Sequence, residues 1–214
     1  MMFIHRFRAA VLGQGFRRDE DLRPYGTPII AYEPALRLHS QHQQGLSYEI
    51  GAGTFAVRAT QPVAWEDFSA ALREGLKVVL AIRDYNTREQ PFSYITLHVV
   101  QAFQEPWTHQ QGLDEFLKDA LGIQVVLPPG LAQHVLPGYR YQPLLQLQIY
   151  SDKQRELNVA VKPDYLNDQF AYLLDTTIAT QDSNIRELDA VVHAVDASHA
   201  MLQGLFGEIP APQG

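Results

Sequence analysis

The stretch "LLQLQIY", Leu144–Tyr150, puts Leu145, Leu147 and Ile149 on one side of an extended chain and Gln146 and Gln148 on the other. Side chains of a strand point alternately to its two faces, so period two marks a sheet with one apolar and one wet face.

The neighbouring sequence extends that reading. Strands are expected at Tyr139–Tyr150, Leu157–Lys162 and Phe170–Thr180, with a helix after them that begins near "SNIRE", where Asn184 and Glu187 have capping-box spacing. Upstream, "GLDEFLKDALG" reads as a short helix between glycines, and "QVVLPPGLAQHVLPG" as a proline-punctuated connection. "PFSYITLHVVQAF", Pro91–Phe103, has strand composition.

In the first half, Phe3, Phe7 and Val11 stand four apart and predict a short amphipathic helix. "RRDEDLRPYG" reads as a charged loop, and Thr27–Ser40 as extended chain interrupted at Pro34. "GLSYEIGAGTFAVRAT" reads as a hairpin turning around Gly51–Gly53. In the following helix, Trp65, Phe68, Leu72, Leu76 and Val79 form an apolar stripe whose rings are expected to be buried anchors.

Strands come in consecutive runs rather than alternating with helices. The expected class is therefore α+β, a mostly antiparallel sheet in two strand runs, each followed by a helix. With no long linker, residues 1–214 are expected to form a single compact domain; hairpins plus a helix in both parts suggest two similar halves, about 1–104 and 105–214.

Hydrophobic residues make up 46% of the 214, enough for a substantial core. No apolar run approaches 18 residues, so no membrane span is expected, and "MMFIHRFRAA" lacks the apolar stretch of a signal peptide. The absence of cysteine excludes disulfides and a thiolate nucleophile and fits the cytoplasm.

The net charge is −7, and residues 163–214, with eight acids and the single base Arg186, hold all of it. The first 26 residues carry five arginines against three acids. An acidic chain without a lysine-rich stripe argues against nucleic acid as a partner, because neutralising phosphates supplies most such affinity.

One string could carry chemistry. In "DAVVHAVDASHAML", Asp189, His193, Asp196 and His199 recur at helical spacing. Ile185, Leu188, Val192, Val195, His199, Leu202 and Phe206 form a seam spaced 3-4-3-4-3-4, which puts His199 where a leucine would be expected. His193 points about 120° away from His199, so the string cannot chelate one ion from a regular helix. Neighbouring pairs can meet, but a pair is too few for a zinc site.

Other candidates are weaker. His39 and His42 stand three apart in an expected loop, while His98 and His109 stand alone. No phosphate-binding, dinucleotide, zinc-protease or nucleophile-elbow motif is present, so no cofactor is expected.

"LDAVVHAVDASHAMLQGLFGEI" resembles the closing helix of a sporadically distributed, uncharacterised bacterial protein family with the pattern Leu-x-x-x-His-x-x-Ile-x-x-Leu-Phe. His199, Leu202, Leu205 and Phe206 fall in step with it. "FAYLLDTTIAT" resembles that family's preceding strand, with an aspartate like Asp175, and "GTFAVRATQPVAWEDFSAALREGLKVVL" its central hairpin and helix, with Trp65 and Phe68 in place. The chain departs from the family in starting at the first helix, and in having "YITLHVV" where a Leu-Arg-Tyr-x-Asn strand is usual. The resemblance implies no particular activity.

The expectation for function is a non-enzymatic binding or accessory protein acting through a surface or a homodimer. The alternative is a metal-dependent or acid–base hydrolase built on His199 and nearby carboxylates. If the chain dimerises, the end of the last helix, His199–Phe206, is the expected contact, facing the basic start of the partner.

Overall fold

The computed structural model describes residues 2–23, 27–28, 30–84, 90–105, 108, 112–134, 143–151, 154–182 and 184–207. The fold is α+β, with two four-stranded antiparallel sheets. The chain divides into two compact units. The first is Met1–Phe92 with Asn184–His193, and the second is Ser93–Ser183 with Ala194–Gly214.

The first unit opens with α1 (Met2–Leu12), followed by β1 (Phe16–Asp21), β2 (Pro34–Ser40), β3 (Leu46–Gly51) and β4 (Thr54–Ala59), then α2 (Trp65–Ile82). The four strands pair in sequence order. Alternation sends Leu38 from β2 and Leu46, Tyr48 and Ile50 from β3 to one face, where Phe7 and Val11 of α1 and Val78 and Val79 of α2 meet them. Phe16 stacks on Tyr48 with ring centroids 4.1 Å apart, and the Tyr48 hydroxyl donates to the Ala71 carbonyl at 2.7 Å. Burial, with the charge of Glu74, pushes the Tyr48 phenol up to about 12. The close approach of α2 to the sheet needs Gly75: a β-carbon there would lie 2.4 Å from the Phe55 ring.

Two expectations are corrected in this unit. The charged segment after α1 is strand β1, not a loop; it lies at the sheet's edge, where charged residues are tolerated. Trp65 and Phe68 are half-buried and stack on each other at 5.4 Å, while Leu72, Leu76, Val78 and Val79 are the buried residues of α2. Both rings sit in the helix's first turn, before the buried stretch that begins at Leu72.

The second unit holds β5 (Ile95–Phe103), α3 (Leu113–Leu121), the one-turn α4 (Pro129–Ala132), β6 (Leu145–Tyr150), β7 (Arg155–Leu166) and β8 (Gln169–Thr180). The sheet order is β5-β8-β7-β6, so the first strand returns to pair with the last. β7 and β8 form a hairpin of 12 paired residues per strand, turned at Asn167 and Asp168, whose φ values are 52° and 61°. Two left-handed residues in a two-residue loop match the twist of the strands, and Asn and Asp tolerate that conformation.

Leu97, Leu157, Val159, Val161, Leu174 and Ile178 line the apolar face of this sheet, and Phe116 of α3 packs against Phe103 and Tyr172 at the strand ends. β7 runs on through Pro163, past the expected end at Lys162. β6 reaches only Val161, so the missing N–H of Pro163 costs no ladder bond there.

The closing helix, α5 (Leu188–Phe206), contributes its first turns to the first unit and the rest to the second. It starts at Leu188, later than the capping-box spacing predicts. The Ile185 carbonyl accepts the Phe92 N–H at 2.7 Å, outside any helix, and the Glu187 carbonyl accepts the first helical bond from Val191.

Candidate functional site

Each sheet has a face turned away from its apolar side, and both of these faces carry polar residues.

In the first unit, register places Glu20, Arg37 and Glu49 directly opposite one another across β1, β2 and β3. Arg37 donates to Glu20 at 3.0 Å and to Glu49 at 2.8 and 2.9 Å, and Arg58 of β4 lies 3.6 Å from Glu49. The array alternates in sign, and its central carboxylate, Glu49, is buried. Paired charges with hydrogen bonds are the condition under which such a carboxylate is tolerated out of water.

His39, expected in a loop, is on β2, where its ring reaches Glu20 at 3.4 Å. That bond, with the Arg37 guanidinium, holds the Glu20 carboxyl below its usual range. His42 is in the turn that follows, its ring against Gly15, which leaves no room for a β-carbon. A cleft of about 570 Å³ opens beside this array, lined by Asp19, His39, Ser40, Gln41 and Gln44 among others. Its Asp19 is held by Arg8 at 2.7 Å.

The second sheet's far face is different. β6 presents Gln146, Gln148 and Tyr150, β7 Glu156 and Asn158, β8 Asp175 and Thr177, and β5 His98 and Val100. Gln148 donates to Glu156 at 2.8 Å and Asn158 donates to it at 2.7 Å. These bonds, Asn158 first, hold the Glu156 carboxyl low. His98 Nε2 and Asp175 Oδ1 are 2.8 Å apart, with the imidazole about half exposed.

A carboxylate at that distance orients the ring, the arrangement of a general acid–base pair. Thr177 stands opposite His98 in register, so a hydroxyl shares the face. The dyad is a pairing that sequence reading missed: His98 is expected to stand alone, and Asp175 is 77 residues away in sequence.

The string singled out on the last helix does not gather at one point. Asp189 is exposed and paired with Arg73 of α2, and His193 is exposed. Asp196 and His199 are half-buried, and His199 Nε2 lies 3.3 Å from the Gln203 amide nitrogen one turn on. The centre of the buried stripe falls on Val191, Val195, Ser198 and Leu202 instead, and the Ser198 hydroxyl donates back to the Ala194 carbonyl at 2.9 Å. His199 is therefore at the stripe's margin. Among the described residues no three His, Cys, Asp or Glu side chains are grouped so as to hold a metal ion.

The described arginines at the start of the chain pair within the first unit, Arg6 with Asp84, Arg8 with Asp19 and Arg23 with Asp21. His109 lies outside the described residues. No helix among the described residues is long and apolar enough to cross a membrane. Comparison of the chain with protein-family models, curated proteins and solved structures gives no significant match.

Proposed function

We propose that this chain is a non-enzymatic binding or accessory protein that works through the far face and edge of its second sheet. One observation carries the reading. That face offers exposed amides, Gln146 and Gln148, beside Tyr150, which is 68% exposed, and beside Asn158. Tyrosine supplies contact area at small entropic cost, and amides supply adaptable hydrogen bonds; together they are the chemistry of recognition surfaces.

The partner we propose is a protein, since the net charge of −7 disfavours nucleic acid. The lack of cysteine supports a cytoplasmic setting. The test is retention of proteins from source-cell extract on immobilised wild type and on Thr177→Arg, which plants a long cation in the middle of the face. Loss of a retained protein at unchanged melting temperature supports the reading, and unchanged retention overturns it.

A second reading, an acid–base hydrolase, is favoured by the 2.8 Å approach of His98 to Asp175. Ester hydrolysis that disappears in His98→Gln would establish it. The version built on His199 has Asp196 three residues earlier on the same helix as its nearest acid in sequence.

A further inference from the structure

We infer that β6 pairs antiparallel with β6 of a second copy of this chain, about a two-fold axis through Leu147, joining two four-stranded sheets into one. The inference rests on the binding reading above and names its surface and partner.

The two sheets have four edge strands, and three carry a feature that blunts an edge. β1 carries Asp19, Glu20 and Asp21, and β4 carries Arg58. β5 has no such charge, but its apolar row is covered: Ile95 is 8% and Leu97 5% exposed. β6 has neither protection. Residues 143–151 contain no charged side chain, and "LQLQIY" has no proline or glycine.

Its apolar row also runs off the sheet uncovered. Leu157 and Val159 are each 3% exposed, yet Ile149, opposite Leu157, is 45% exposed, and Leu145 and Leu147 are half-buried. Among the described residues no strand pairs with β6 on its outer side. An uncharged, apolar, unpaired edge is the template for adding a strand.

The strand's own sequence selects a second copy as the occupant. Antiparallel pairing about Leu147 sets Leu147 against itself, Leu145 against Ile149 and Gln146 against Gln148. Directly opposed residues share a face, so the apolar row continues as an apolar row and the amide row as an amide row, and no like charges are opposed. Each copy offers the same patch, which is what a two-fold interface requires. A six-residue strand is short, so the contact belongs at the small end of specific interfaces, with a dissociation constant on the order of 10–100 µM.

Sedimentation equilibrium of the full chain tests this between about 1 and 300 µM, a range chosen to bracket that constant. Wild type is expected to rise from 24.2 kDa toward twice that mass. The exposed amides provide charge tests that leave the apolar row intact. Gln146→Lys/Gln148→Lys opposes like charges across the axis and should weaken the dimer at least tenfold. Gln146→Glu/Gln148→Lys opposes unlike charges, keeps a donor beside Glu156, and should restore or tighten it.

A monomer throughout the range, or equal dimerisation of the two double variants, overturns the inference. The binding reading fails separately, through unchanged retention on Thr177→Arg. That residue lies on β8, which β7 separates from β6.

Discussion

The far faces of the two sheets solve the same problem in opposite ways. On the first sheet, Glu20, Arg37, Glu49 and Arg58 satisfy one another across four strands, and the central carboxylate is 9% exposed. On the second, amides and a tyrosine take the corresponding positions and stay open to water. A closed array of charges has little left to offer a partner, whereas neutral donors and acceptors can exchange water for a partner at small cost. The difference is what supports our proposal that the first face serves stability and the second recognition.

Four measurements break or sharpen that contrast. The largest effects should be equal on the two sheets, because Ile50 and Leu174 are both completely buried. Ile50→Ala and Leu174→Ala remove fully buried side chains and should each cost about 2–5 kcal/mol in calorimetry. We propose that residues 1–214 unfold as one domain, so both variants should lower a single transition. Two transitions, each moved by one variant, would show that the units melt separately.

The far faces should then diverge. Glu49→Ala leaves Arg37 facing only Glu20 and should cost about 2 kcal/mol, below the cost of breaking a fully buried pair because Arg58 is half exposed. Gln148→Ala on the second sheet should change stability by less than about 0.5 kcal/mol. Equal losses at the two positions would erase the distinction.

The smallest effect is in acid. Glu20 and Glu156 both hold their protons less tightly in the fold than at the usual glutamate value of 4.5. The unfolded chain therefore takes up protons first as pH falls. The stability that these two groups supply is present above pH 4.5 and fades as pH falls through their lowered values. Glu156→Gln should flatten part of that acid decline in melting temperature, and an unchanged slope would show that the amide bonds to Glu156 are not kept in solution.

Much of this architecture is legible in the residues. The alternation of Leu145, Leu147 and Ile149 gives a sheet with one wet face, the consecutive strand runs give its antiparallel pairing, and Phe7 and Val11 give the buried side of the first helix. What escapes has physical causes. β1 is written almost wholly in charge, because an edge strand's side chains can reach water, so composition disguises it as a loop. Pro163 reads as a strand end, and only the register of β6 shows why it is not.

His98 and Asp175 meet because β5 pairs with β8, and no local periodicity announces a pairing across 77 residues. On the last helix the seam is legible but set slightly off. Val191, Ala194 and Ser198 share the buried stripe, and only Ser198's backward hydrogen bond lets a hydroxyl sit at its centre.

The tight turn at Asn167–Asp168 also sets an order of events in folding. It joins the two longest strands of the second sheet with almost no loop to close, so the β7–β8 hairpin can form within microseconds from local contacts. β5 must wait, since its pairing with β8 closes a loop that contains the hairpin itself. Changes that disfavour the turn, such as Asn167→Val, should slow folding. Changes in β5, such as Leu97→Ala, should mainly speed unfolding.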